Sequence, residues 1–198
     1  MKRFAAWACV CVVSGVASVA NAEQKFGDAG IMVPSGSVSL DYSSSKPPEG
    51  DKTSETFIGV APGLLVFVTE NFAVGGRVAL SRWADDEDSS SLTFGMGPVV
   101  GLNVPLGDNL SLFPQFAIFA AVSNYKNDIN GETFKTEHTT GYVYLEVPVL
   151  YHVQNFFMGA GPYFATDMVS KYSVDGGTAE DGSKDTSLGL STTIGGWF

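Results

Sequence analysis

The sequence predicts an all-β fold, a closed antiparallel transmembrane β-barrel of about eight strands arranged as an up-and-down meander. Three observations support this. From residue 57 onward, large apolar residues recur with a period of two, which is the period of a β-strand. The breaks between these segments are alternately short and long. The composition combines 44% hydrophobic residues and 23 glycines with only 16% charged residues, which is low in charge for a soluble domain.

Length, charge and cysteine content restrict the number of domains and the kinds of partner and site that the chain can have. The 198 residues suffice for one domain of ordinary size. The formal net charge of −10, from 21 acidic and 11 basic residues, argues against a nucleic-acid partner, because binding phosphates requires a basic patch. Cys9 and Cys11 are the only cysteines, so the rest of the chain can form neither a disulfide framework nor a cysteine metal site. We expect no cofactor.

The first 22 residues have the organisation of a secretory signal peptide. Lys2 and Arg3 precede an apolar run, and the run ends in the small-residue sequence Ala20-Asn21-Ala22. We therefore expect cleavage after Ala22, with residues 23–198 forming the outer-membrane barrel. An uncleaved membrane anchor is the alternative, because the run approaches the minimum of about 17 residues for a spanning helix. No later stretch is long enough, so a membrane would be crossed by strands.

The two faces of the predicted strands differ in chemistry. One face is apolar throughout, as in the segments containing Ile58, Val60, Leu64 and Val66, then Phe72, Val74, Val78 and Leu80, then Phe94, Met96, Val100 and Leu102. The other face is mainly Gly, Ser, Thr and Ala, with isolated polar residues such as Gln115. A soluble barrel would need a charged exterior. The pattern predicts the reverse, with the apolar face toward lipid and the small residues filling a narrow lumen.

Two charged residues are predicted to lie in that lumen. Arg77 and Glu146 share the interior parity and lie at comparable distances from their turns. Because an unpaired buried charge is costly, we expect them to form an ion pair inside the barrel.

The breaks between strands predict an orientation. Breaks 68–71, 105–109 and 153–155 are tight, whereas 45–54, 83–91, 124–138 and 167–185 are long and polar. In outer-membrane barrels the short turns face the periplasm and the long loops face outward. We therefore expect extracellular loops and, with eight strands, both termini in the periplasm.

Five prolines fall inside predicted strands, where each removes one ladder hydrogen bond. They are Pro62, Pro98, Pro114, Pro148 and Pro162. We expect them at bulges or near the rims, with Gly97-Pro98 and Gly161-Pro162 as candidate bulges.

The C-terminal strand resembles that of the small eight-stranded outer-membrane β-barrel proteins of Gram-negative bacteria, without selecting a subfamily. Those chains end on an aromatic residue preceded by alternating hydrophobic residues, a pattern matched here by Phe198, Ile194, Leu190 and Leu188. Gly196 and Thr192 depart from the pattern. The resemblance implies that these residues form a C-terminal assembly signal recognised by the barrel-assembly machinery.

Candidate chemical groups are few, and no catalytic residue or metal site is predicted. His138 and His152 are the only imidazoles, and a hydrolytic site would need a histidine beside a serine and a carboxylate. We expect a solvated His138 in a loop and an interfacial His152 at a turn. The acidic run Asp85, Asp86, Glu87 and Asp88 could hold a hard cation, but it lacks the ligand spacing of a known calcium loop.

Two functions are compatible with this sequence. The first is a monomeric outer-membrane barrel with a structural or surface-interaction role and a lumen filled by side chains, in contact with outer-membrane lipids. The alternative is a transporter or binder of a small hydrophobic molecule, entering through a narrow or lateral opening. No ligand-binding residues can be assigned from the sequence, and we do not expect an enzyme.

Overall fold

The computed structural model describes residues 25–45, 53–85, 89–129, 132–174 and 177–198, and excludes the side chains at 40–45, 53, 127–129 and 132–134. The predicted signal peptide with its cleavage site at Ala22 lies outside these residues. So do Asp86, Glu87 and Asp88 of the acidic run. No helix among the described residues is long and apolar enough to cross a membrane.

The described residues form twelve strand segments. They are β1 (Met32–Ser45), β2 (Thr53–Thr69), β3 (Phe72–Asp85), β4 (Ser90–Leu102), β5 (Val104–Gly107), β6 (Leu110–Leu112), β7 (Gln115–Ile129), β8 (Glu132–Glu146), β9 (Val149–Val153), β10 (Phe156–Val174), β11 (Glu180–Asp181) and β12 (Thr186–Gly196).

The long strands confirm the predicted barrel. Antiparallel pairing runs in the order β1, β2, β3, β4, β7, β8, β10 and β12, and β12 pairs back onto β1 to close a ring of eight strands. Three of the eight are interrupted near one end: at Asn103 between β4 and β5, at Phe113 and Pro114 between β6 and β7, and at Val147 and Pro148 between β8 and β9. The short pieces β5, β6 and β9 continue the pairing beyond the breaks.

The bulges expected at Gly97-Pro98 and Gly161-Pro162 are absent, because the pairing register is unchanged across both. The register shifts instead beside Val68, Leu106 and Met168. A Cβ at Gly97 would collide with the carbonyl of Ile118, so the glycine permits a close backbone approach rather than a bulge.

Backbone hydrogen bonds close the sheet at the interrupted strands. The amides of Leu102, Phe113 and Val147 donate across these breaks, each at 3.0 Å, to the carbonyls of Pro114, Pro148 and Pro162 respectively. At these three positions the regular strand pairing is interrupted, but neighbouring strands remain joined by a backbone hydrogen bond.

The three tight turns are two-residue turns at 70–71, 108–109 and 154–155. They lie at one end of the barrel, called here the turn end, together with Lys25 and Phe198. Asn71 has φ 65°, the conformation that asparagine tolerates well, whereas in the third turn Gln154 rather than Asn155 has positive φ, at 53°.

The opposite end, called here the hairpin end, differs from the predicted long loops. β7 and β8 continue to Ile129 and Glu132, and β10 continues to Val174. These segments are polar on both faces, so the period of two that predicts a half-buried strand is missing although the backbone is extended. Much of the predicted loop sequence is therefore paired strand.

Large apolar side chains cover the outside of the barrel in a continuous band. Between Phe72 and Leu80 every large side chain on the outward face of β3 is apolar, and the first outward charge is Arg82. Eight residue steps of about 3.3 Å, tilted by about 40°, give the band a height of about 20 Å. That height is close to the apolar band of about 25 Å found on transmembrane barrels.

The ring closes unevenly between its first and last strands. β1 and β12 pair only at Ser35 opposite Gly195 and Gly36 opposite Ile194 among the described residues. At the turn end the seam is completed by two hydrogen bonds between the backbones of Met32 and Phe198, at 2.9 and 3.1 Å. Toward the hairpin end the two strands are not paired, although each remains paired on its other side.

The segment before β1 folds across the turn end of the barrel. Gly27 accepts a hydrogen bond from the Asn71 amide at 2.7 Å, and Gly30 donates to the Phe67 carbonyl at 2.7 Å. Both glycines have positive φ, at 108° and 91°. A Cβ on Gly27 would lie 2.5 Å from Asn71 Oδ1, whereas a Cβ on Gly30 would meet nothing within 4 Å.

Substitutions at these glycines test how the segment before β1 is held at the turn end. We expect Gly27→Ala to lower the free energy of unfolding by about 1–3 kcal/mol, because strained φ and a steric clash combine. Gly30→Ala should cost less, since only the backbone strain applies. Gly107→Ala is the control, because its Cβ would meet open space. Urea unfolding of protein refolded into lipid vesicles measures all three; equal stability of the three variants would contradict this packing.

Candidate functional site

The middle of the lumen is occupied by a charged network. Arg77 Nη2 donates to Glu146 Oε1 at 2.7 Å and to Gln115 Oε1 at 2.9 Å. Glu146 Oε2 accepts hydrogen bonds from the Tyr144 hydroxyl at 3.0 Å and from Ser191 Oγ at 3.2 Å. The structure thus brings the predicted interior pair into direct contact and adds further partners. The network links β3, β7, β8 and β12 across the lumen.

This network is buried and surrounded by aromatic rings. Arg77 is 9% exposed and Glu146 is 2% exposed. The Arg77 guanidinium lies 6.0 Å from the centre of the Tyr144 ring, which in turn stacks on Tyr163 with centroids 5.5 Å apart. Charge-assisted hydrogen bonds and stacked rings leave little freedom for the side chains that cross the lumen.

A second obstruction lies at the turn end. Phe26 lies at the centre of a cluster with Phe67, Phe113, Phe157 and Trp197, at ring-centre distances of 5.1 to 5.5 Å. We call these five residues the aromatic plug.

The aromatic plug is tied to the surrounding turns. Asn103 Nδ2 donates to Asn71 Oδ1 at 2.8 Å and to the Phe26 carbonyl at 3.3 Å. Among the described residues, three buried side-chain polar atoms have no hydrogen-bond partner, and all three belong to the plug or lie beside it: Asn103 Oδ1, His152 Nδ1 and Trp197 Nε1. The plug therefore closes the turn end with apolar contacts rather than with a complete polar network.

His152 is not the interfacial residue expected from its position at a turn. Its ring faces inward, 4.8 Å from the Phe26 ring, and its Nε2 lies 2.8 Å from Ser111 Oγ. The parity of β9, which points Leu150 and His152 to the same side, explains why the partly buried imidazole faces into the barrel.

His138 is also inside the barrel rather than in a solvated loop. Its Nε2 lies 3.1 Å from Ser170 Oγ, and its Nδ1 lies 3.5 Å from Thr140 Oγ1. Ser170 is 3% exposed. A Cβ on Gly182 would lie within 3 Å of both Ser170 Oγ and His138 Nε2, so this part of the chain covers the pair.

The serine and histidine have two of the three groups that a hydrolytic triad requires. In such triads a carboxylate or amide orients the histidine through Nδ1. Here the neighbour of Nδ1 is the Thr140 hydroxyl, at the limit of hydrogen-bond distance. The pair joins β8 to β10, and its serine is shielded from solvent.

The short strand β11 pairs with β10 next to the Ser170–His138 pair. Lys171 and Asp181 form an exposed ion pair at 3.9 Å. The Tyr172 hydroxyl donates to Glu180 Oε2 at 2.8 Å, and this hydrogen bond raises the pKa of the phenol. Both contacts are exposed, so they are expected to contribute little stability.

The acidic run is represented in the described residues by Asp85 alone. Its Oδ1 accepts a hydrogen bond from the Ser89 amide at 2.8 Å, which links the last residue of β3 to the residue before β4. In the part of the chain that the structure describes, no three His, Cys, Asp or Glu side chains are grouped so that they could hold a metal ion.

Comparison with solved structures is consistent with this architecture. The translocator domain of the autotransporter NalP from Neisseria meningitidis matches with a TM-score of 0.51 at 14% identity, over 85% of this chain and 61% of that one. This chain therefore spans less than two thirds of the NalP structure. The likeness shows a shared fold, the outer-membrane type of β-barrel, and nothing about activity.

Two further structures match less well. Neisserial surface protein A has a TM-score of 0.47 at 13% identity, over 85% of this chain and 97% of that one. A major outer membrane protein from Thermus thermophilus has a TM-score of 0.49 at 11% identity, over 86% of this chain and all of that one. No protein-family model matches the chain. No curated protein matches its sequence.

The plug, rather than the charged pair, is what sequence reasoning missed. Residues 25–31 precede the first alternating segment and have no periodicity, so the strand pattern does not predict that Phe26 enters the barrel. The available signal was Gly27 and Gly30, which allow the chain to turn back on itself.

The buried ion pair can be tested by a double-mutant cycle. Glu146→Gln and Arg77→Met should each lower the free energy of unfolding by about 3–5 kcal/mol, because each leaves an uncompensated charge in the lumen. The double variant should cost clearly less than the sum of the two. Urea unfolding in vesicles measures the coupling; additive losses would show that the two side chains do not interact.

Proposed function

We propose that this protein is an outer-membrane barrel that does not conduct and that carries its function on the paired hairpins at its hairpin end. The observation that carries the proposal is the double obstruction of the lumen, by the Arg77–Gln115–Glu146 network and by the aromatic plug. A ring of eight strands leaves an interior just wide enough for side chains. The protein therefore presents a rigid scaffold to its surroundings and not a channel.

The outward surface supports placement in a membrane. On the outward face of the barrel, Phe94, Met96 and Ile118 are between 44% and 53% exposed. Exposing so large an apolar area to water would be costly. A charge within such a band would cost about 2–4 kcal/mol at the bilayer midplane, and none occurs between Phe72 and Leu80 on the outward face of β3.

The proposed orientation puts the hairpin end outside the cell and both termini in the periplasm. It is supported by the contrast between two-residue turns at one end and long hairpins at the other, which is typical of outer-membrane barrels. In the same proposal the barrel-assembly machinery binds the C-terminal strand during biogenesis, and the folded protein is a monomer. The outward positions of Leu188, Leu190 and Ile194 are compatible with such recognition before the barrel closes.

Conductance measurements test the closed lumen. Protein refolded into planar bilayers should show no discrete current steps, and Phe26→Ala should also be silent because the charged network remains. A variant combining Phe26→Ala, Arg77→Ala and Glu146→Ala should conduct, provided that it keeps the electrophoretic mobility of the folded barrel. Unitary steps from the wild-type protein would contradict the proposal, and steps from Phe26→Ala alone would show that the network does not obstruct the lumen.

We further propose that the protein is not an enzyme and that Ser170 and His138 form a structural link between β8 and β10. The burial of Ser170 and the position of Thr140 beside Nδ1 support this role. Ser170→Ala and His138→Ala should therefore leave lipid A and phospholipid profiles of expressing cells unchanged, as measured by mass spectrometry. A lipid product that is made with the wild-type protein and is lost with Ser170→Ala would contradict it.

A further inference from the structure

The seam between β1 and β12 differs from every other junction of the ring. Beyond Gly36 and Ile194 the two strands are not paired, whereas β10 and β12 pair continuously from Phe156 to Thr166. Leu188 and Leu190 on β12 are 78% and 83% exposed. The other described large hydrophobic side chains of the exterior are less than 60% exposed, so the high exposure reflects a missing neighbour on one side.

Small hydroxyl side chains line the inner side of this seam. Ser37 and Ser39 face inward from β1, and Ser187 and Ser191 face inward from β12. Ser39 and Ser187 are exposed, whereas Ser123, which also faces inward but lies between two fully paired strands, is 8% exposed. Inward-facing serines beside the seam are therefore accessible, as expected where two strand edges lie apart.

Unpaired strand edges restrict what can occupy the seam. Backbone N–H and C=O groups facing hydrocarbon are costly, and they are tolerated at membrane depth only beside a polar or water-filled space. The occupant must therefore supply hydrogen-bonding groups to the edges and to the serines. On the outward side it must also cover Leu188 and Leu190, so it must be amphipathic.

We propose that the β1–β12 seam binds a membrane lipid, with its polar headgroup between the two strand edges and its acyl chains against Leu188 and Leu190. The chemistry of the seam matches the two parts of such a molecule. This inference rests on the membrane placement proposed above. It gives the barrel a lateral binding site that borders the charged network through Ser191.

The lining favours a headgroup that acts as a hydrogen-bond donor and acceptor rather than as a counter-ion. The four serines are uncharged, and Ser191 Oγ connects the seam to Glu146 Oε2 at 3.2 Å and to the Gly161 carbonyl at 3.3 Å. Glu146, the carboxylate that Ser191 contacts, is already paired with Arg77. These four serines offer hydrogen-bonding groups to a ligand but no positive charge to a bare anion.

Photo-crosslinking distinguishes the possible occupants. The protein is refolded into vesicles of phosphatidylethanolamine and phosphatidylglycerol with p-benzoylphenylalanine in place of Ser187, Ser81 or Phe94. Ser187 faces the seam, Ser81 is the matched inward control on the fully paired β3, and Phe94 lies in the apolar band. We expect lipid adducts by mass spectrometry from the probes at Ser187 and Phe94, and at least tenfold fewer from the probe at Ser81.

The other outcomes would overturn either the seam site or the membrane placement. Lipid adducts at Phe94 but not at Ser187 would overturn the seam site and leave the membrane placement intact, whereas no adducts at either would contradict the membrane placement itself. A cross-link from Ser187 to β1 of the same chain would show a closed seam. A cross-link to a second molecule would show an interface between copies, and would equally overturn the lipid site.

Engineered disulfides test the opening independently of the lipid. In a background with Cys9→Ser and Cys11→Ser, the pair Gly36→Cys and Ile194→Cys lies in the paired part of the seam. The pair Val38→Cys and Thr192→Cys would be opposite each other if that register continued. Mild oxidation should cross-link the first pair at least tenfold more than the second. Equal cross-linking would overturn the open seam.

Discussion

The fold depends on the closure of its first strand against its last. In a membrane, a sheet must leave no row of unpaired backbone groups against hydrocarbon, so the eight strands must form a ring. Here the ring is closed at the turn end by the hydrogen bonds between Met32 and Phe198 and by the pairing of Ser35 with Gly195. Beyond Gly36 and Ile194 the two strands are no longer paired, so the seam is closed only at the turn end.

The filling of the lumen follows from that closure. A ring of this size has room for only a few large side chains, so most inward positions are small, and glycines such as Gly97 and Gly161 allow neighbouring backbones to approach closely. Two layers of large inward residues then obstruct the lumen, the charged network around Arg77 and Glu146 and the aromatic plug around Phe26. In the proposed function these layers make the barrel a scaffold. In the lipid site that we infer, the seam is where a lipid headgroup meets the inward-facing serines.

Much of the fold could be predicted from the sequence because lipid and a narrow lumen impose opposite chemistries on alternate residues. The same parity predicted which side chains enter the barrel, including Arg77 and Glu146. It could not predict the plug, since residues 25–31 form no strand and Phe26 enters the lumen from outside the ring. The parity also failed to predict strands at the hairpin end, because both faces of those extended strands are polar. At the Gly-Pro pairs the expected bulges are absent, because a missing hydrogen bond does not require a shift of register.

The most direct test of the account is the environment of alternate side chains along β3. Nitroxide labels are placed singly from 72 to 80, omitting Arg77, and at Arg82 as a reference outside the apolar band. Each labelled protein is examined in vesicles for collision with oxygen and with a water-soluble nickel complex. The account predicts an accessibility period of two, with oxygen maxima and no nickel access at the outward positions Phe72, Val74, Val78 and Leu80. Nickel access at Val78 and Leu80 equal to that at Arg82 would contradict it, because the apolar band would then face water.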